Sequence, residues 1–218
     1  MKKFPKVFTS ILSALFLFGL LVQNTTHASD NLSEDELLNG VRISVTNDQT
    51  GEVTYLDPMD SKNKMKVLSI KSNDGSVEVG YEVFVPLEDL NAPVITPFDT
   101  DGSSKTSGGI TAKLYVDYDT NASNEKVRLN RVYGSWQPTD NSYYVTDRKV
   151  DAHSGAGTGK TLSKTPTSNS FSYTTGWDYN YRVGGQAAPR AWSSAKGHVA
   201  GMTGTSHTIK IEFTYADL

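Results

Sequence analysis

A two-residue rhythm of apolar and polar side chains runs through this chain from Val41 onward, and it confines the fold to sheets. The rhythm is cleanest at residues 110–119. Ile110, Ala112, Leu114, Val116 and Tyr118 fall on one side of an extended chain, and Thr111, Lys113, Tyr115, Asp117 and Asp119 on the other. A polar loop at 120–124 leads to Val127 and Leu129, opposed by Lys126, Arg128 and Asn130, so residues 110–133 read as one long antiparallel hairpin. Alternation is lost near Arg131, Val132, Tyr133 and Gly134, which predicts a bulge there.

The same pattern recurs on either side of this hairpin. Val41, Ile43 and Val45 alternate with polar residues, and a turn at 47–51 joins them to Val53 and Tyr55. Residues 66–72 meet 76–85 across Asp74-Gly75, a pair suited to the positive φ angles of a tight hairpin turn. Near the C-terminus, His207, Ile209, Ile211, Phe213 and Tyr215 share one face, which makes His207 a core-edge residue rather than a catalytic base. Between these strands, residues 86–109 carry Pro93 and Pro97 and read as an exposed crossover. Residues 143–152 form a strand with no assignable inward face. Residues 153–170 read as a structureless Gly/Ser/Thr/Lys connection, and 176–206 as aromatics mixed with glycines. No helical period follows the N-terminal leader. The expected fold is an all-β antiparallel sandwich of about eight to ten strands, with a β-barrel as the rival architecture.

The leader has three regions: Lys2, Lys3 and Lys6, then an apolar run at 7–22, then a polar stretch ending in Thr26-His27-Ala28. These are the marks of a secretory signal peptide cleaved near Ala28, with an uncleaved anchor as the alternative. The expected organisation is a signal at 1–28, a polar arm at 29–40 and a single domain at 41–218. Loss of the three leader lysines takes the net charge from −3 to −6, and an acidic, well-mixed surface argues against nucleic acid as a partner. Cysteine is absent, which excludes disulfide staples and a lipid-modified cysteine. The expected location is extracellular.

Three stretches imitate catalytic or metal-binding motifs. Residues 154–161 end in Gly159-Lys160-Thr161 like a phosphate loop, but Ser154 stands where the first glycine belongs, and Pro166 precludes the helix such a loop must enter. Asp117, Asp119, Asn121 and Ser123 are spaced like calcium ligands. Ala122 replaces the turn glycine and Arg128 the closing glutamate, so an EF-hand is excluded, and a looser Ca²⁺ site near Asp117, Asp119 and Asn121, helped by Glu125, is the alternative. Asp151 and His153 share a strand face next to Ser154, the raw material of a hydrolase if a partner such as His198 converges on them.

Aromatic crowding carries more functional content. All three tryptophans lie between 136 and 192, and the expected ligand-binding residues are Trp136, Tyr143, Tyr144, Trp177, Tyr179, Tyr181 and Trp192. The competing reading makes these rings plugs over the open end of the core. The leading functional expectation is a secreted, non-catalytic binding protein that uses these loops against a cell-envelope polysaccharide or another extracellular protein. The alternatives are a membrane-active factor inserting the 110–133 hairpin, which Lys113, Asp117, Lys126 and Arg128 oppose, and an extracellular hydrolase centred on Asp151 and His153.

Overall fold

The computed structural model describes residues 40–58, 66–73, 76–87, 108–123, 125–155, 159–182 and 188–215. The leader, most of the polar arm, Asp74-Gly75 and residues 88–107 of the crossover lie outside these. Twelve strands are present among the described residues, more than the eight to ten expected. In chain order they are β1 (Val41–Asn47), β2 (Val53–Leu56), β3 (Lys66–Asn73), β4 (Ser76–Pro86), β5 (Gly109–Thr120) and β6 (Lys126–Pro138). The second half supplies β7 (Tyr143–His153), β8 (Thr161–Lys164), β9 (Ser170–Thr174), β10 (Asn180–Tyr181), β11 (Arg190–Val199) and β12 (Ser206–Thr214).

These strands form two antiparallel sheets that do not close into a barrel. The first has the order β2-β1-β12-β11-β7-β8. The second runs β10-β6-β5-β4-β3, with β9 also paired to β6. The organising hairpin is β5–β6, and β5 crosses under both β11 and β12 of the opposite sheet. Its inward residues Ile110, Ala112, Leu114, Val116 and Tyr118 are all fully buried, as are Val79, Tyr81 and Val83 of β4. They meet Ile209, Ile211 and Phe213 of β12, with Tyr81 and Tyr118 each 5.9 Å from the Phe213 ring. A one-residue register slip would carry this whole apolar set to solvent, which holds the pairing in place. The β3–β4 register sets Asn73 against Ser76, which leaves two residues between the paired strands.

Three segments depart from the sequence expectations, each for a local reason. In β6 the extra residue is Asn130: Asp117 pairs with Arg131 and Tyr118 with Leu129, so the bulge precedes the stretch where alternation fails. In β7 the inward face changes parity, with Tyr143 and Val145 buried before the break and Val150 and Ala152 after it. The break is Asp147, whose φ of 48° places it in the left-handed region beside the register shift against β11. Residues 153–170 are not structureless throughout, because β8 pairs with β7 as an edge strand. Only Leu162 of its four residues is turned toward the core, too few for a periodic signal. Residues 190–199, read as part of an irregular stretch, form an interior strand of the first sheet.

His207 occupies the core position expected at the start of β12, and its Nε2 finds no hydrogen-bond partner among the described residues. Burial lowers its pKa, with Asp48 opposing weakly, and burial also lowers that of His198. A depressed folded value means that the unfolded chain takes up a proton first as pH falls through about 6.5. Stability from this source is therefore complete above that pH and declines below it, until the lowered folded values are passed. Calorimetric unfolding temperatures between pH 7.5 and 5 are expected to fall with acidification, and His207→Leu should flatten part of that slope. An unaltered slope in the variant would remove His207 from the account.

Candidate functional site

The structure divides the seven candidate aromatics into three groups. Trp136, on the inner face of β6, is 0 % exposed and packs on Phe171 at 4.9 Å. Tyr143 is buried on β7, so close to Gly108 that a Cβ there would lie 2.2 Å from its hydroxyl oxygen. Trp177 is 8 % exposed and belongs to the same core cluster. These three rings close the core and have no face to offer a ligand.

Tyr144 and Trp192 lie on the outer face of the first sheet. Tyr144 is 48 % exposed and stacks on His198 at 4.7 Å, while His198 Nε2 is 2.7 Å from the Thr146 hydroxyl. Trp192 is half-buried between Arg190 and Lys210, each 5.3 Å from its ring, and both cations reach Glu212. The register sets Trp192 against Asp151 and His198 against Tyr144, so roughly 20 Å of strand separates the two rings.

Tyr179 and Tyr181 form the third group, and here the geometry favours contact with a ligand. They are 40 % and 56 % exposed. Residues 170–181 run along β6 as one interrupted edge strand: β9 pairs with residues 131–135, and β10 with Lys126 and Val127. The interruption lies opposite the Asn130 bulge. There the Thr175 N–H donates to the Asn130 carbonyl at 2.9 Å, and its hydroxyl donates to the carbonyl of Leu129. Gly176 follows at φ +63°, a conformation costly to residues with a Cβ, and the chain then turns Trp177 inward. Two residues on, Tyr179 emerges under Arg128, whose guanidinium carbon lies 4.8 Å from its ring centre. Tyr181, set directly against Lys126, has that ammonium 4.5 Å from its ring. Arg128 also pairs with Asp119. The cations thus hold one face of each ring and orient the remainder outward.

Further along the outer face of β6 stand aromatic residues outside the expected ligand-binding set. Tyr133 is stacked on Tyr115 of β5 at 4.6 Å, nearly parallel at 5°. Arg131 lies 4.1 Å over the same ring and 3.8 Å from Glu78. Burial and a hydrogen bond to Glu78 push the Tyr133 phenol up to about 12. The signal available in the sequence was Tyr115, an aromatic on the polar face of a cleanly alternating strand.

The remaining motifs take structural roles. The Ser154 hydroxyl accepts the Lys160 N–H at 2.8 Å, and the Ser154 N–H donates to the Lys160 carbonyl at 2.9 Å, so Ser154 and Lys160 are bonded to each other at the entrance to β8. From Thr161 the chain enters strand β8, not the helix a phosphate loop needs. Asp151 and His153 share the outer face of β7, but His153 pairs with Arg190 while His198 lies about 26 Å further along β11, so the three do not converge. Asp119 accepts from Arg128, and Asn121 Oδ1 accepts the Lys126 N–H at 2.7 Å, which engages two of the oxygens considered for calcium. No group of three or more acidic or histidine side chains among the described residues is placed to hold a metal ion. The inner face of the 110–133 hairpin lies in the core, and no helix among the described residues is long and apolar enough to cross a membrane.

Fold and surface together define a class: an antiparallel two-sheet β-sandwich with paired, cation-backed tyrosines on an interrupted edge strand. No protein-family model matches the chain, and no match is found among curated proteins or solved structures.

Proposed function

We propose that this chain is an exported, non-catalytic binding protein that takes a cell-envelope glycan on the ledge formed by Tyr179 and Tyr181. The observation that carries this reading is the pair of exposed rings, two residues apart, each backed by a cation from β6. A tyrosine offers a broad flat apolar face and a polar tip, which suits a ligand with C–H faces and hydroxyl rims. Rings already oriented by Arg128 and Lys126 lose little freedom on binding, so more of the contact energy survives as affinity. Export rests on the leader, and the separation of His198 from Asp151 and His153 along β11 favours binding over hydrolysis.

The test is a pull-down on isolated cell-wall material. Tyr179→Ala combined with Tyr181→Ala is expected to reduce retention at least about tenfold, the equivalent of about 1.4 kcal/mol. Its unfolding temperature should stay within a degree or two, because both side chains are exposed. Trp177→Ala, by contrast, is expected to lower the unfolding temperature. Undiminished retention in the double variant would refute the ledge.

A further inference from the structure

Two sheets that do not close into a barrel leave four edges, and three of them carry features that discourage further pairing. The register of β3 against β4 shifts between Val67 and Ser69. β8 ends on exposed Lys164, with Pro166 two residues beyond. The edge formed by β9 and β10 is interrupted opposite the Asn130 bulge. β2 has none of these features. Val53, Thr54, Tyr55 and Leu56 are uncharged, include no proline and pair with β1 in unbroken register. Tyr55 is 66 % exposed, more than any other large apolar or aromatic side chain among the described residues.

The ladder fixes which backbone groups of β2 face outward. At the two ends of β1 the Gly40 carbonyl accepts from the Thr214 N–H and the Asp48 N–H donates to the Ser206 carbonyl, so the even-numbered residues here point to β12. Asn47, odd-numbered, donates its N–H to the Glu52 carbonyl at 2.9 Å. Antiparallel ladders alternate, so Thr54 and Leu56 bond to β1 while the N–H and carbonyl groups of Val53 and Tyr55 point away from it. Among the described residues β2 has no second neighbouring strand to receive them.

Two such edges complement each other. When they are set antiparallel about a two-fold axis at Thr54, Val53 of each copy meets Tyr55 of the other as a hydrogen-bonded pair, which satisfies the outward groups of both residues. Thr54 then meets Thr54 of the second copy on the axis. Aromatic against β-branched and threonine against threonine are both favourable cross-strand combinations. No charge lies within the paired stretch, so two copies of a chain that is acidic overall meet here without like-charge contact. From this geometry we infer that β2 is a self-association edge, through which two copies of the chain pair into a two-fold dimer with their first sheets joined as one. The inference is independent of the glycan-binding reading.

The size of the edge sets the strength of the dimer. A strand of this length spans about 13 Å, and pairing along it buries far less than the roughly 800 Å² per partner of a stable complex. Association is therefore weak and reversible, populated at about 0.1–1 mM protein.

The experiment is sedimentation equilibrium of the processed full chain from about 0.02 mM to about 1 mM, with amide hydrogen exchange measured at both ends of the range. Mean mass is expected to rise with concentration, while exchange at the Val53 and Tyr55 amides slows at least about twofold and that at Thr54, which already faces β1, does not change. Thr54 is exposed, so Thr54→Lys leaves the fold intact and sets two ammonium groups face to face on the axis. It should weaken association at least about fivefold, as should Thr54→Asp, and an equimolar mixture of the two should recover association as a mixed dimer. Val53→Pro removes an outward donor and leaves the bonds to β1 in place, and it should weaken association without new charge. A parent that stays monomeric throughout, a Thr54→Lys or Val53→Pro protein that associates as the parent does, or a mixture that stays monomeric would overturn the inference. Association that leaves Val53 and Tyr55 exchange unchanged would overturn it too, by placing the contact on another surface.

Discussion

Replacing Trp136 by alanine is expected to remove about 3–5 kcal/mol of folding stability, the range for truncating a large buried aromatic. The ring is fully buried and packs on Phe171, so its removal leaves a cavity between β6 and the opposite sheet that backbone hydrogen bonds prevent from closing. The indole Nε1 is buried without a partner among the described residues, and an unsatisfied buried donor costs about 1–3 kcal/mol. Trp136→Phe deletes that donor along with part of the ring, so the two effects oppose each other and the net loss should be about 1–2 kcal/mol. Equilibrium urea unfolding of the parent and both variants measures this directly. An unmoved midpoint for Trp136→Ala, accompanied by loss of wall retention, would return this tryptophan to the ligand-binding surface.

Gly134→Ala is expected to be still more damaging, with little or no folded protein recovered. A Cβ at this position would lie 2.1 Å from the backbone carbonyl oxygen of Lys113 and 2.9 Å from the Phe171 ring. The carbonyl belongs to β5 and cannot withdraw without parting the β5–β6 pair on which the core is assembled. Phe171 cannot withdraw without disturbing Trp136. Relief must come from backbone movement at the centre of the second sheet, a mechanism that places the cost in the exceptional range above about 4 kcal/mol. Gly176→Ala provides the contrast. Nothing lies within 4 Å of its added Cβ, and the penalty is only that of a left-handed conformation, about 1–2 kcal/mol. Soluble yield and circular dichroism of the two variants should differ accordingly, and a well-folded Gly134→Ala protein would refute the close apposition of β5 and β6 as the source of the cost.

Both expectations bear on how the aromatic residues divide their roles. Trp177 and Tyr179 are neighbours in composition and in sequence, yet one seals the core and the other faces solvent. The difference arises at Gly176, where a positive φ and the contacts of Thr175 with Leu129 and Asn130 let the chain rotate beside the β6 bulge. Neither the glycine nor the bulge predicts the outcome alone, because the rotation is set by the strand alongside, whose Leu129 lies 46 residues before Thr175 in the chain. The same holds for Tyr115 and Tyr133, which become one stacked surface only through the β5–β6 register.

What the amino-acid sequence determined by itself was the sheet character of the chain and the inward faces of its strongly alternating strands, including Val41 to Val45, Val79 to Val85, Ile110 to Tyr118 and His207 to Phe213. A strand buried on one face must alternate, and hydropathy reports that directly. The interior strand β11 carries no legible alternation because its buried face is Ala191, Ser193, Ala195 and Gly197. Those residues are small because the opposite sheet comes close: a Cβ on Gly197 would already stand 3.0 Å from Leu87 and 3.2 Å from Ile110. Side-chain volume there is set by the partner's bulk, so the strand carries almost no hydropathy contrast. Only tertiary structure could decide which rings plug the sandwich and which line its outer face, because an aromatic side chain satisfies either role and the choice is made by pairing partners distant in sequence.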